Sequence, residues 1–193
     1  MWAKASPRTF APAIPLGSAS AAQSSPTRAT LLGLGGDATG DTLRHMRAFV
    51  HASLKSPTQI VRERALSLTS AVASRDWFGQ IRELHAFVRD NVRYQEDPDE
   101  FELVQSPEKT LQYMAGDCDD QATLLAALLK SLNHPARFVA VGISGGSFSH
   151  VLVETKVKDT GVDMRDWCPL ETIIAKPMGW YPPDATSRYV LKV

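Results

Sequence analysis

The hydrophobic pattern of this chain changes once, at the turn Asn133-His134-Pro135. Before this turn, apolar residues recur at the three- and four-residue spacing of amphipathic helices. After it, they fall into short runs that are typical of β-strands and are interrupted by glycine and proline. Helices followed by a strand meander indicate an α+β fold.

Five helices are predicted ahead of the turn. The first is predicted to begin at Asp41. Capping signals predict the starts of the next three at Ser56-Pro57, Asp76 and Ser106-Pro107. The fifth, which is rich in leucine, is expected over residues 118–132. Four strands are predicted after the turn, at 137–143, 150–157, 166–171 and 189–193.

Composition excludes several classes of protein. Lys plus Arg and Asp plus Glu both number 21, so the formal charge is zero and no basic footprint for nucleic acid exists. No stretch reaches the roughly 18 apolar residues of a membrane-spanning helix. The two cysteines offer neither a disulfide framework nor zinc-ligand spacing, and the acids around Pro98 lack the spacing of a calcium loop. We therefore expect no metal, no cofactor, and neither nucleic acid nor a membrane as partner.

Residues 1–36 differ from the rest of the chain. The first 30 residues are rich in Ala, Ser and Pro and contain Lys4, Arg8 and Arg28 but no acid. Such a segment buries too little apolar surface to offset the entropy of ordering it. The sequence thus predicts a disordered tail over 1–36, with a targeting segment as the alternative, and a single domain over 37–193.

The string Gly116-Asp117-Cys118-Asp119-Asp120 places a thiol in the first turn of the fifth helix. Asp117 can cap this helix, and the positive end of the helix dipole favours the thiolate. Asp119 and Asp120 oppose ionisation, so a cationic partner such as imidazolium is needed for a reactive sulfur. A small buried cysteine with no chemical role is the alternative.

His150 is the histidine best placed to be that partner. It follows a glycine-containing loop over 144–149 and begins a strand. An imidazole on a strand edge that faces a thiol at a helix start is the nucleophile and base pair of acyl transfer. The other four histidines are expected at helix surfaces, at helix boundaries or in a turn: His45, His51, His85 and His134.

An acid should orient the imidazole, and the candidates are Asp163, Asp166 and Glu171. With a tight hairpin turn at 160–161, Glu171 lies directly opposite His150. Asp166 then lies about five residues, or roughly 16 Å, further along the strand. Glu171 is therefore preferred, and a solvent-facing carboxylate at a strand end is the alternative.

Three strings together resemble the transglutaminase-like superfamily: Gly-Asp-Cys118-Asp-Asp, Ser-His150-Val-Leu-Val-Glu and Trp167-Cys-Pro-Leu-Glu171-Thr. The resemblance covers about residues 40–185 and is nearest to small bacterial and phage members. It implies a papain-like fold, with N-terminal helices followed by an antiparallel sheet packed on the Cys-bearing helix. It also implies a catalytic triad in which Cys118 is the nucleophile and His150 the base. Glu171 stands where the family usually has Asp, so its longer side chain is expected to fold back onto the imidazole.

The resemblance implies acyl transfer on protein or peptide amides through a thioester on Cys118, with water or a primary amine as the acceptor. The Cys118 N–H is expected to stabilise the oxyanion. A second donor stays open, because Gln105 and Gln112 are both expected to be exposed. Two non-enzymatic alternatives remain, a degenerate peptide-binding module and a phage assembly module tethered by residues 1–36. The expected location is the cytoplasm of a bacterium or a phage-infected host, or a virion.

Two further segments carry structural expectations. The string Met178-Gly179-Trp180-Tyr181-Pro182-Pro183 is expected to form an aromatic and proline clasp over the sheet, with a wall of the cleft as the alternative. Cys168 precedes a proline in a strand and is expected to be a packed thiol.

Overall fold

The computed structural model describes residues 27–31, 37–98, 101–157 and 167–193. The helices in these ranges are α1 (Ala38–Leu54), α2 (Ile60–Leu68), α3 (Trp77–Asn91), α4 (Pro107–Tyr113) and α5 (Cys118–Ser131). The strands are β1 (Thr27–Leu31), β2 (Arg93–Tyr94), β3 (Phe101–Gln105), β4 (Ala115–Gly116), β5 (Ala136–Ile143), β6 (Phe148–Thr155), β7 (Cys168–Leu170) and β8 (Ala185–Lys192).

Helix α5 lies at the centre of the fold, and twelve of its 14 residues are buried. Helices α1 to α4 surround it on one side, and β5 and β6 pack against the other. Because α5 is covered on both sides, its leucines on neighbouring faces are all shielded from solvent. The four fully buried ones are Leu124, Leu125, Leu128 and Leu129.

The larger sheet is antiparallel, with the strand order β7-β6-β5-β8. Its inner face supplies Phe138 and Val153 to the main core against α5. Its outer face carries a small cluster of Val139, Val141 and Leu152. The α+β class, and a sheet packed on the Cys-bearing helix, are therefore confirmed.

The predicted starts of α3, α4 and α5 are observed, whereas the predicted start of α2 is not. Asp76 caps α3 by accepting the Gly79 N–H at 2.8 Å, and Ser106 caps α4. The predicted start at Ser56-Pro57 is wrong, because α2 begins at Ile60 after Gln59 in the left-handed conformation, with φ 50°. The Ser56 carbonyl accepts the Gln59 N–H and closes a turn there instead of opening a helix.

Part of the predicted tail forms a strand. Residues 27–31 constitute β1, which pairs antiparallel with β3 from Thr27↔Gln105 to Leu31↔Phe101. The strand gains backbone partners from β3 that no local pattern reveals, and its β-branched threonines suit a sheet. The structure corrects the expected disorder for 27–31, whereas residues 1–26 and 32–36 lie outside the described ranges.

Within the described ranges, every helix is too short or too polar to span a lipid bilayer.

The burial of α5 makes a direct prediction about stability. Truncating Leu128, which is fully buried, to alanine should lower the free energy of unfolding by about 2–5 kcal/mol. The helices on one side of α5 and the sheet on the other are packed in place, so they cannot move in to fill the cavity. The matched control is Leu66→Ala on α2, whose side chain is 49% exposed and should change stability by less than about 0.5 kcal/mol. Urea denaturation measures both, and equal losses in the two variants would contradict the central position of α5.

Candidate active site

Cys118 is the first residue of α5, and the local sequence explains its position. The Asp117 side chain accepts the N–H groups of Asp119 at 3.0 Å and Asp120 at 3.1 Å, which starts the helix at the cysteine. The thiol is half-buried and hydrogen bonds to Asp119 Oδ1 at 3.5 Å. The backbone N–H of Val151 also acts on the thiol, because it lowers the pKa of Cys118. The sulfur therefore lies against strand β6, beside the residue that follows His150.

The surroundings of Cys118 favour a neutral thiol. Burial, followed by the charges of Asp119 and Asp117, raises the thiol pKa well above its ordinary value. The Val151 N–H opposes this shift and does not reverse it. The helix dipole, taken alone, favours the opposite direction.

His150 and Glu171 form the second part of the site. His150 Nε2 lies 2.7 Å from Glu171 Oε2. The Glu171 side chain is fully buried, and its other oxygen accepts the N–H groups of Ile173 at 2.7 Å and Ile174 at 3.3 Å. Burial tends to raise the pKa of Glu171, but the hydrogen bonds and the charge of His150 together bring it below its ordinary value. Glu171 is therefore a carboxylate fixed through both of its oxygens.

The register of the hairpin differs from the expected one. Strands β6 and β7 pair Val153 with Leu170, and continuing that register places Glu171 across from Leu152 and not from His150. The shift is two residues, and since side chains alternate with period two, the carboxylate stays on the face of the imidazole. The Glu171 carboxylate nevertheless reaches the imidazole. The other two candidate acids, Asp163 and Asp166, lie outside the described residues.

The imidazole has one nitrogen left for chemistry. Because Nε2 is bound to Glu171, Nδ1 is the atom available to the thiol. Among the described contacts of Cys118, no hydrogen bond joins Sγ to this ring, and the thiol is directed at Asp119. In this arrangement the thiol is therefore bound to Asp119 and not to the imidazole.

Tyr94 is a neighbour of the thiol that sequence reasoning did not single out. In the parallel pair of β2 and β4, Tyr94 lies opposite Gly116, two residues before Cys118. Its phenol is 47% exposed, and its pKa is raised by partial burial and then by the charge of Cys118. The pairing of β2 with β4 therefore places Tyr94 beside the segment that leads into α5.

The two glutamines considered as oxyanion donors have different environments. Gln112 is exposed, as expected. Gln105 is half-buried, which corrects the expectation, because its backbone N–H donates to Asp120 Oδ1 at 2.7 Å and its side-chain amide donates to Asp120 Oδ2 and to the Ala115 carbonyl. Burial raises the pKa of Asp120 to about 6 in spite of these bonds. Gln105 thus holds the strand before α4 against α5 and does not face the thiol.

His85 is buried, contrary to the surface or boundary position expected for it. Its side chain on α3 is fully buried, and Nε2 lies 2.5 Å from the main-chain carbonyl oxygen of Glu171. The sequence carried a signal for this burial, because His85 falls in the stripe Ile81, Leu84 and Val88 at helical spacing.

A cleft of about 350 Å³ opens next to His150, and we call it the His150 cleft. Its walls are Ile143, His150, Ile173, Ile174, Trp180, Pro182, Pro183 and Asp184. Residues of the 178–183 string therefore form part of the cleft wall, which was the alternative to the expected clasp. It also serves as a clasp, because Met178 packs on the main core and Tyr181 on the outer cluster.

The remaining candidate groups lie apart from this chemistry. Cys168 is buried on β7, with its thiol 3.7 Å from the Pro169 carbonyl oxygen. In the part of the chain that the structure describes, no three His, Cys, Asp or Glu side chains cluster as metal ligands would.

Comparison with known proteins identifies a family and several similar solved structures. The model of the transglutaminase-like superfamily matches residues 64–172. No curated protein gives a significant match. Similar solved structures include a proposed protease from Parabacteroides distasonis (17% identity, 68% of this chain, 26% of that chain, TM-score 0.49). A proposed cysteine protease from Cytophaga hutchinsonii is also similar (16% identity, 76% and 51%, TM-score 0.46). So is a chain of the Rad4/XPC nucleotide excision repair complex (9% identity, 77% and 45%, TM-score 0.46). The chain spans about half or less of the length of these three relatives.

The acids around Cys118 make a prediction about the thiol. Replacing Asp119 with asparagine should lower the pKa of Cys118, because it removes the nearest negative charge while leaving the burial unchanged. Iodoacetamide alkylation followed from pH 6 to 10 should show the rate curve of Asp119→Asn displaced to lower pH. The control is Asp90→Asn, which removes an exposed carboxylate paired with Arg89 on α3. An unchanged curve for Asp119→Asn would contradict this account of the thiol.

Proposed function

Because the chain belongs to the transglutaminase-like superfamily, we propose that it catalyses acyl transfer on protein or peptide amides through a thioester on Cys118. The observation that carries this proposal is the 2.7 Å hydrogen bond between His150 and the buried Glu171, in a fold that sets the Cys118 thiol at the start of α5. A fixed carboxylate, an imidazole with a free nitrogen and a thiol at a helix start are the parts that the reaction needs.

The raised thiol pKa decides how the first step begins. A neutral thiol at neutral pH means that His150 acts as a general base during the attack, since no preformed thiolate and imidazolium pair is favoured. Sγ forms a bond to the amide carbon as its proton passes to His150 Nδ1. Glu171, which its lowered pKa keeps ionised, orients the ring and stabilises the imidazolium that forms.

Collapse of the tetrahedral intermediate completes the first half of the reaction. The carbon–nitrogen bond breaks, and His150 gives its proton to the departing amine, which leaves a thioester on Cys118. Water or a primary amine then attacks the thioester, with His150 accepting the proton of the incoming group and returning it to the sulfur. Hydrolysis and transamidation are thus two outcomes of one intermediate.

Two groups are suited to hold the oxyanion. The backbone N–H of Cys118 lies at the first position of α5, where amide groups have no partner within the helix. The Tyr94 phenol is our candidate for the second donor, because β2 sets it opposite Gly116 and charge at Cys118 influences it.

A second candidate function is a peptide-binding module without catalysis. Two observations favour it: the thiol is directed at Asp119 and its pKa is raised well above the ordinary value. In this alternative the cleft beside His150 holds a peptide, and the three side chains serve only the fold.

The experiment that tests the proposal is mass spectrometry of casein incubated with the protein and pentylamine. Peptide cleavage, deamidation of glutamine and amine incorporation give different mass changes, so one sample reports all three reactions. Cys118→Ser and His150→Ala should each abolish the reaction, and Glu171→Gln should slow it by about 100-fold or more because the ring loses its fixed orientation. His51→Ala, at an exposed position on α1, is the histidine control.

Two results would decide against the enzyme. Turnover retained in Cys118→Ser would remove the thioester from the mechanism. Absence of all three products from the wild-type protein, together with peptide binding that survives in Cys118→Ser, would establish the binding module in its place.

A further inference from the structure

We infer that the His150 cleft is the subsite for the amine side of the amide, and that it takes an uncharged hydrophobic side chain on the residue that follows the reacting bond. The inference rests on the proposed function, because only a reacting amide gives the two sides of the site different roles.

The position of the cleft assigns it to the amine side. Its walls include His150 but not Cys118. In acyl transfer the acyl carbon bonds to the sulfur, whereas the nitrogen must lie within hydrogen-bonding reach of the imidazole that protonates it. Because the cleft borders the imidazole and not the sulfur, it is the site offered to the atoms attached to that nitrogen, whereas the acyl atoms belong beside Cys118.

The walls of the cleft select the chemistry of its occupant. Isoleucine, proline and tryptophan side chains form most of its surface, and this is typical of a site that buries an apolar group. Asp184 is the acidic wall residue, and it is exposed. Lys176 lies over the Trp180 ring, 5.5 Å from its centre, and is not one of the walls. The cleft thus offers an acidic side chain no cation, and an aliphatic or aromatic side chain a broad apolar surface.

Binding of small amides to the Cys118→Ala variant tests the cleft without requiring turnover. The probes are N-benzylacetamide and N-isobutylacetamide, with N-methylacetamide lacking a side chain and N-(5-aminopentyl)acetamide carrying a cation. The Trp180 indole N–H signal, assigned with Trp180→Phe, reports occupancy by NMR. We expect the two hydrophobic amides to bind about tenfold more tightly than N-methylacetamide. Ile174→Ser should reduce that preference, while Leu66→Ser, equally exposed on α2, should not.

The outcomes separate this inference from the proposed function. Equal binding of N-benzylacetamide and N-methylacetamide, or tightest binding of the aminopentyl amide, would overturn the hydrophobic subsite even if casein is processed. A hydrophobic preference in a protein that shows no turnover would retain the cleft as a binding site and remove only the reaction.

A separate observation supports a second inference: we propose that His85 is a positioning residue for Glu171. It lies on α3, remote from the thiol, and acts through the main chain of the residue that holds His150. Glu171 is then fixed twice, since its carboxylate is bound by His150 and the N–H groups of Ile173 and Ile174, and its carbonyl oxygen by His85.

The environment of His85 suits this role. Within the described residues, its Nδ1 has no hydrogen-bond partner, so the proton lies on Nε2, where it is donated to the carbonyl oxygen. Burial lowers the pKa of His85 and keeps the ring neutral. The hydrogen bond to the Glu171 carbonyl and the charges of Asp90 and Glu171 raise this pKa, whereas the charge of Arg89 lowers it further. Arg89 also joins α3 to the segment that follows Glu171, since its guanidinium donates to the Lys176 carbonyl at 3.0 Å.

Substitution of His85 tests the positioning role with a readout that stability alone does not move. His85→Phe should raise the pKa of Glu171, followed by carboxyl ¹³C NMR, and lower kcat for casein about tenfold with little change in KM. His85→Gln, whose amide can donate to the same carbonyl, should restore both values. Should the phenylalanine variant not fold, His85→Asn gives the comparison, because its shorter amide leaves the carbonyl unpaired.

Arg89→Ala is the matched control, since it removes a bond between α3 and the same segment without touching Glu171. An unchanged Glu171 pKa in a folded His85→Phe protein would overturn the positioning role, and so would an equal shift in Arg89→Ala. Because the pKa is measured without substrate, this result does not depend on whether the protein is an enzyme.

Discussion

A carboxylate with no exposure to solvent links the core of this protein to its candidate site. Placing a charge in the interior is unfavourable unless hydrogen bonds replace the lost water. Glu171 meets that condition with the imidazole of His150 on one oxygen and two backbone N–H groups on the other. The segment after β7 must therefore turn back at residues 173 and 174, and that turn forms one wall of the His150 cleft. The geometry of the site thus follows from keeping one buried charge satisfied.

The thiol shows how competing electrostatic effects decide chemistry. The start of α5 offers the sulfur a favourable dipole, worth about 0.3–1 kcal/mol at an exposed position. Burial and two flanking carboxylates act in the other direction and raise the pKa of Cys118. Asp117 is required to cap the helix, so the residue that places the sulfur also opposes its ionisation. A base that removes the proton only during the reaction reconciles these two demands.

Local rules predicted the parts of this fold that depend on neighbours in the chain. The cap at Asp117 and the apolar run of α5 act within a few residues, and both appear where the sequence places them. The pairs β1–β3 and β2–β4 depend on distant partners, and two-residue strands are too short to show alternation. The burial of His85 follows from the helical stripe on α3, but its contact with Glu171 is 86 residues away along the chain. The walls of the cleft come from a proline-rich segment without periodicity, which tertiary packing alone places.

The hairpin illustrates both the strength and the limit of pattern reasoning. Alternation along β6 put His150 and Glu171 on one face, and an error of two residues in register left that result intact. The register does affect how far the side chain of residue 171 must reach to contact His150. Diagonal neighbours on adjacent strands are about 7–8 Å apart, further than residues directly opposite each other. From the position after β7, an aspartate side chain would be one methylene shorter than the one that reaches the imidazole at 2.7 Å. The glutamate thus makes the contact with the imidazole, and its departure from the aspartate usual in the family is not by itself a sign of a degenerate site.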